Sequence, residues 1–119
     1  MSRFTEAQLT ADELTELCER MLAKSVVWQG PLPTPCRVWL GAANNSGYGS
    51  IGLKGRHWLT HRIGFILGNG APPKEQANHR CHVPRCWEPG HLYSGSQAQN
   101  VADAIAAGRM QRNTRRIAA

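Results

Sequence analysis

Two cysteines and a histidine within eleven residues, Cys81-x4-Cys86-x4-His91, constrain this chain more than any other stretch. The links between them contain Pro84, Pro89 and Gly90, so the backbone can fold back around one ion. Thiolate and imidazole are the donors that tetrahedral zinc prefers, and a closed structural site takes four of them at roughly 2.0–2.3 Å. The stretch provides three, so a fourth ligand must come from elsewhere. Cys18 falls on the apolar stripe of an expected helix and reads as core. Cys36 follows Pro35 at the start of an expected strand and is the preferred fourth ligand. His82 competes, but it adjoins Cys81, and adjacent side chains diverge on an extended chain. Nothing in the N-terminal run MSRFTEAQLTADEL resembles a secretory signal, so a cytoplasmic location is expected and disulfides are disfavoured.

A second set of residues interleaves with the first. His79 ends the strand-like run EQANHRC. Asn100 lies one turn into a helix expected to start after Ser96, where Ser96 and Gln99 have capping-box spacing, and to end at Gly108. A neutral imidazole suits the activation of water near pH 7. A carboxamide oxygen suits Mg2+, which retains most of its waters and takes one or two protein ligands.

The run His79-x-Cys81-x4-Cys86-x4-His91 followed by Asn100 resembles the HNH, or His-Me finger, endonucleases. The resemblance is greatest to the zinc-bearing His-Cys box homing endonucleases and related phage HNH proteins. CRVWLGAANNSGYGSI resembles the family's opening hairpin, and THRIGFILGNGAPP its His-Arg helix and following turn. The resemblance spans about residues 36–109. It implies an α+β protein of the small ββα-metal (His-Me finger) fold, with antiparallel hairpin strands and a structural zinc. Here that fold would carry an added N-terminal helix. It implies that His79 is the general base, that Asn100 binds a catalytic Mg2+ or Mn2+, and that Cys36, Cys81, Cys86 and His91 hold zinc. It also implies a basic residue near the scissile phosphate, for which Arg62 is the candidate, the other reading being an arginine paired with a helix end. His61 reads as a core histidine in preference to a second site residue. Where many relatives have Asn, this chain has Glu88, which bears on loop geometry.

Charge points the same way. Five of the eight acids fall in the first nineteen residues, whereas residues 20–119 hold thirteen Lys/Arg and three acids, a net charge of +10. A polyanionic partner follows, and duplex DNA is the partner expected. Arg37, Lys54, Arg56 and His57 on a hairpin suit the major groove. Arg109, Arg112, Arg115 and Arg116 in the tail suit phosphate contacts. Two-metal nucleases need clustered carboxylates, and Glu75, Glu88 and Asp103 are spread too far apart to provide them.

At 119 residues one domain is expected, divided into a helical extension (1–30), a nuclease domain (31–109) and a basic tail (110–119). Thr10 and Glu13 have capping-box spacing ahead of a helix over 10–24 whose stripe is Leu14, Leu17, Cys18, Met21 and Leu22. That helix's acidic outer face is expected to turn away from the substrate. Residues 25–35, with three prolines, read as a linker. Strands are expected at CRVWLGA, YGSIGL and RHWLT, with turns at NNSG and Lys54-Gly55, then a short helix capped by Thr60. No apolar run reaches the ~20 residues of a membrane span.

The reading is therefore a metal-dependent DNA endonuclease, phage-encoded or homing in kind, in which symmetric double-strand cutting would call for a homodimer. Three alternatives stand beside it: a non-catalytic zinc-stabilised nucleic-acid-binding module, an RNA-directed protein, and an interaction domain using the Leu14–Leu22 stripe.

Overall fold

Residues 5–106 are described by a computed structural model, with the side chains of Asn100, Asp103 and Ala104 left out of the description. The described residues form a small mixed α/β protein built from three antiparallel strand pairs and three α-helices, with two short 3-10 turns. Helix α1 (Ala11–Ala23) begins where its sequence says it should. Thr10 Oγ1 accepts from Glu13 N at 3.1 Å, and Glu13 Oε1 accepts from Thr10 N at 2.8 Å. These two bonds satisfy donors that a bare helix end leaves open. Of the stripe, Leu17 and Met21 are fully buried and Leu14 packs against the core, but Leu22 is 47 % exposed.

The stretch after α1 corrects the sequence reading. Ser25–Trp28 is a strand, β1, paired antiparallel with β2 (Cys36–Trp39) in the register Val26↔Val38. The prolines at 31, 33 and 35 lie in the connection, so they interrupt no ladder. The NNSG turn also forms, closed by an Ala43↔Gly49 bridge, but β2 takes β1 as its partner, not the strand that follows.

The next pair, β3 (Ser50–Leu53) and β4 (Arg56–Leu59), is joined by Lys54-Gly55, both at positive φ (57° and 72°). That is the backbone a tight two-residue hairpin turn requires, and the glycine adopts it without strain. Helix α2 (Thr60–Asn69) follows directly and ends at Gly70 in the left-handed conformation. Thr60 does not cap it: Leu59 holds that position, and Thr60 is buried as the first helical residue with Oγ1 lacking a partner among the described residues.

Helix α2 organises everything downstream. Its Ile63 and Ile66 join Leu17, Met21, Trp39, Ile51, Trp58 and Trp87 in the main core. A second face carries Gly64 and Gly68. A Cβ at Gly64 would sit 2.3 Å from the Trp87 carbonyl oxygen, and one at Gly68 would sit 2.7 Å from Pro89 Cβ. The two glycines therefore make a groove in which the backbone of the cysteine-rich loop lies directly on the helix. A third face carries His61 and Phe65, four residues apart, or about 6 Å along the axis. Strand β5 (Gln76–His79) presents Ala77 and His79, two residues apart, or about 6.7 Å. The two spacings match, so Phe65 meets Ala77 while His61 meets His79. Strand β6 (Leu92–Gly95) pairs with β5 in the register His79↔Leu92, and helix α3 (Gln97–Ala106) leaves from its end.

Candidate metal centre and adjoining cavity

Cys36 enters the site from the first residue of β2, while Cys81, Cys86 and His91 come from the loop between β5 and β6. Long-range bonds bring the two together. The loop lies along the free edge of β2 through a Val38↔Cys86 bridge. Trp39 N donates to Arg85 O and Trp87 N to Arg37 O, each at 2.9 Å. Arg85 adds bonds to the carbonyls of Trp39 and Gly41. Glu88 accepts from Arg37 Nε at 2.8 Å and so ties the loop to β2.

The result is a buried Cys3His group. One donor atom from each of Cys36, Cys81, Cys86 and His91 lies within 4.8 Å of all the others. His91 Nδ1 is 3.6 Å from both Cys36 Sγ and Cys86 Sγ. Zinc bonds of about 2.05 Å to nitrogen and 2.3 Å to sulfur, at a tetrahedral angle, put the two donors about 3.6 Å apart. His91 Nε2 is 2.7 Å from Thr34 Oγ1, to which it donates when Nδ1 faces the metal, and this fixes the ring as outer-shell partners do. Burial, and then the neighbouring Cys86, push the Cys36 thiol up to about 11. The Cys86 thiol is also raised, first by its bond with Cys81 and then by burial. Three crowded buried sulfurs cannot all ionise unless a cation compensates them, which is what a bound divalent ion does. The group fits a metal such as zinc. His82, the competing ligand, stands outside it and takes a positive φ of 60° in the turn. Cys18 is half-buried on α1, away from the cluster.

Beside the metal group is a cavity of about 210 Å3 lined by residues that include Tyr48, His61, Arg62, Asn78, His79 and Gln97. His79 is buried at the end of β5, and its Nε2 lies 2.9 Å from the Cys86 carbonyl oxygen. A carbonyl only accepts, so Nε2 carries the proton and Nδ1 is the basic nitrogen of neutral His79. The metal-loop backbone thus sets the tautomer of this ring. Tyr48 stacks with His61 (centroids 4.8 Å apart) and with His79 (5.9 Å), and the His61 and His79 rings meet at a tilt of 31° (4.8 Å). Tyr48 is placed by Asn44, whose Oδ1 accepts from Ser46 N and Tyr48 N. Burial, then the positive sides of His79 and Arg62, push His61 down to about 3, so it is neutral at physiological pH.

Two amides that the sequence did not single out complete the cavity. Asn78 Nδ2 donates to Ser96 O at 3.3 Å, and Gln76 Nε2 donates to Gln97 Oε1 at 2.8 Å. Both anchor the start of α3 on β5, while Ser96 Oγ caps it by accepting from Gln99 N. Asn100 falls on the first turns of that helix, and its side chain is outside the described part. No local pattern marks Asn78 or Gln76; only the β5–β6 pairing gives them a role.

The candidate DNA contacts divide. Arg109, Arg112, Arg115 and Arg116 lie outside the described residues. Arg37 pairs with Glu88. Lys54 pairs with Glu13, which brings the start of α1 to the β3–β4 turn. Arg62 makes a forked contact to Glu6, at 2.7 and 2.9 Å, and bonds the Glu75 carbonyl. Arg56 lies over the Trp58 ring, and His57 is exposed.

Fold and site together define a small α/β protein of antiparallel hairpins carrying a buried Cys3His group able to hold a metal such as zinc. No helix among the described residues is long and apolar enough to cross a membrane. The chain is 33% identical over 96 residues to Protein 2.8 of Escherichia phage T7, across 79% of this chain and 63% of that protein. It is 32% identical over 75 residues to Protein 7.7 of the same phage, across 62% of this chain and 58% of that one. It therefore spans less than two thirds of the length of either relative. No family model matches the chain, and no solved structure matches it.

Proposed function

We propose that this chain is an HNH (His-Me finger) endonuclease that hydrolyses phosphodiester bonds of duplex DNA. The observation that carries the proposal is the position of His79. It is a buried imidazole with its Nε2 proton given to a backbone carbonyl, lining a cavity beside a Cys3His metal group. The order strand β5, cysteine-rich loop, strand β6, helix α3 supports a ββα-metal arrangement around that cavity. A net charge of +6 supports a polyanionic substrate. Similarity to two T7 proteins supports a phage setting.

In this reading His79 Nδ1 takes a proton from a water that attacks phosphorus. The bond to the 3′-oxygen breaks, leaving a 5′-phosphate and, after that oxygen takes a proton from solvent, a 3′-hydroxyl. Asn100 would hold Mg2+ or Mn2+. Apart from Tyr48 and Arg62, the polar groups of the described lining are amides and imidazoles, with no carboxylate, which suits a single ion that keeps most of its waters. Such an ion supplies Lewis-acid stabilisation of the charge developing on the phosphate. Zinc in the Cys3His group has all four positions filled by protein and is structural. Arg62 has to exchange Glu6 for phosphate if it is to contact the substrate.

Incubation of supercoiled plasmid with the zinc-loaded protein and Mg2+ tests the proposal. Nicking is expected, with loss of cutting and unchanged zinc content in Asn100→Ala. No nicking under any salt or divalent-ion condition would leave the non-catalytic zinc module as the better reading. Preference for single-stranded RNA would point to an RNA-directed protein instead.

A further inference from the structure

The cavity contains a histidine that the proposed mechanism does not use. His61 is 5 % exposed, lines the cavity, stacks on Tyr48 and meets the His79 ring at a tilt, with centroids 4.8 Å from each. Its Nδ1 is buried with no hydrogen-bond partner among the described residues. A buried polar atom left unpaired is costly, and the cost depends on which tautomer the ring adopts. With the proton on Nδ1, a donor would be sealed away from every acceptor. With the proton on Nε2, Nδ1 is a bare lone pair, and unpaired buried acceptors are tolerated better than unpaired donors. The second arrangement leaves Nε2–H as the nitrogen able to face the cavity.

We propose that His61 is a further catalytic residue, a neutral donor whose Nε2–H bonds a phosphate oxygen of the substrate while His79 handles the water. This rests on the nuclease reading of the same cavity. Three observations support it. The ring stack fixes the imidazole plane, so the donor is preorganised, the condition under which hydrogen bonds to developing charge are most effective. Burial keeps the ring neutral, so its role is to donate without releasing the proton. Arg62, the next residue on the same helix, lines the same cavity and carries the positive charge there.

The test uses the full zinc-loaded chain. His61→Phe keeps an aromatic ring in the stack and removes the donor; His61→Gln restores a donor. We expect His61→Phe to lower kcat for plasmid nicking about 100-fold with KM within threefold, and His61→Gln to recover at least a tenth of the activity. The shape of the pH–rate profile should be unchanged in both. A profile displaced in His61→Phe would mean that His61 acts only through His79, and the inference falls. Circular dichroism and zinc content separate a folding failure from a chemical one. Should the Phe variant not fold, nitrogen-15 spectra of the histidines in wild type decide. They are expected to show the Nε2–H tautomer for His61 and a shift of that proton on adding a short duplex. An Nδ1–H tautomer, or a proton indifferent to duplex, overturns the proposal. If wild type never nicks, the nuclease reading fails; the same spectra then report whether His61 meets a phosphate at all.

Discussion

Lowering the pH from 7 to 5 should cost this protein about 2 kcal/mol through His61 alone. The unfolded chain carries an ordinary histidine that titrates near 6.5, whereas in the folded chain burial and the positive sides of His79 and Arg62 push the ring down to about 3. Between those values the unfolded state binds more protons, so stability is fully present above pH 6.5 and is lost as pH falls toward 3. Integration gives about 2 kcal/mol lost from pH 7 to pH 5 and about 4 kcal/mol by pH 3. Down to pH 5 the buried ring stays largely unprotonated in the folded chain. Other groups contribute to the total, so the measurement is a difference between wild type and variant. Urea unfolding followed by tryptophan fluorescence at pH 7, 6 and 5 compares wild type with His61→Phe. The variant should lose about 2 kcal/mol less than wild type over that range. A difference below roughly 0.5 kcal/mol would show that His61 takes up its proton in the folded state, and would refute the burial argument.

Two further outcomes follow from the metal group and the α2 groove. One equivalent of zinc should bind, and Cys36→Ser, Cys81→Ser, Cys86→Ser or His91→Ala should each abolish or sharply weaken it, whereas Cys18→Ser should leave it intact; elemental analysis after dialysis reads the result, and full zinc in Cys36→Ser would break the assignment. Gly64→Ala should destabilise by about 1–3 kcal/mol, since the added methyl would lie 2.3 Å from the Trp87 carbonyl oxygen. Gly52→Ala, whose nearest contact is at 3.7 Å, is the control in the same urea titration, and equal effects would refute the groove.

What the sequence disclosed was local or chemically singular. Thr10 and Glu13 announce α1 because a capping box is complete within four residues. Lys54-Gly55 announces its turn because few dipeptides take positive φ together. The Cys3His group is legible because sulfur and imidazole at short spacing have few other uses, and Cys36 follows by elimination. Strand β1 was hidden for a physical reason. Val26, Val27 and Trp28 are all exposed, so the strand has no buried face to produce an alternating pattern, and its partner is set by the approach of β2. Thr60 reads as a cap because its hydroxyl suits one, but the core claims that position. The pairing of Glu6 with Arg62, Glu13 with Lys54 and Glu88 with Arg37 was equally hidden. Charge counted along the chain assigns the acids to one end and the bases to the other; folding brings them into contact.

The site's dependence on metal can be traced bond by bond. His79 is held from three sides: by β6 through the strand pair, by a tilted ring contact with His61 of α2, and by the Cys86 carbonyl. The first and third pass through the cysteine-rich loop, which contributes few apolar side chains besides Val83 and Trp87. Arg80 N bonds His91 O at 2.7 Å, so the strand that ends in His79 is closed at its tip by a metal ligand's own backbone. If the Cys3His group holds a structural zinc, worth on the order of 10 kcal/mol in small domains, its release would act first on the loop, the tautomer-setting carbonyl and the root of α3. The main core is formed mostly by α1, α2 and the β3–β4 hairpin, with Trp39 of β2 and Trp87 of the loop reaching into it, and contains none of the four ligands. Removal of a bound metal is therefore expected to loosen the loop and the adjoining cavity before it unfolds the main core, as when stability is distributed in separate cooperative units.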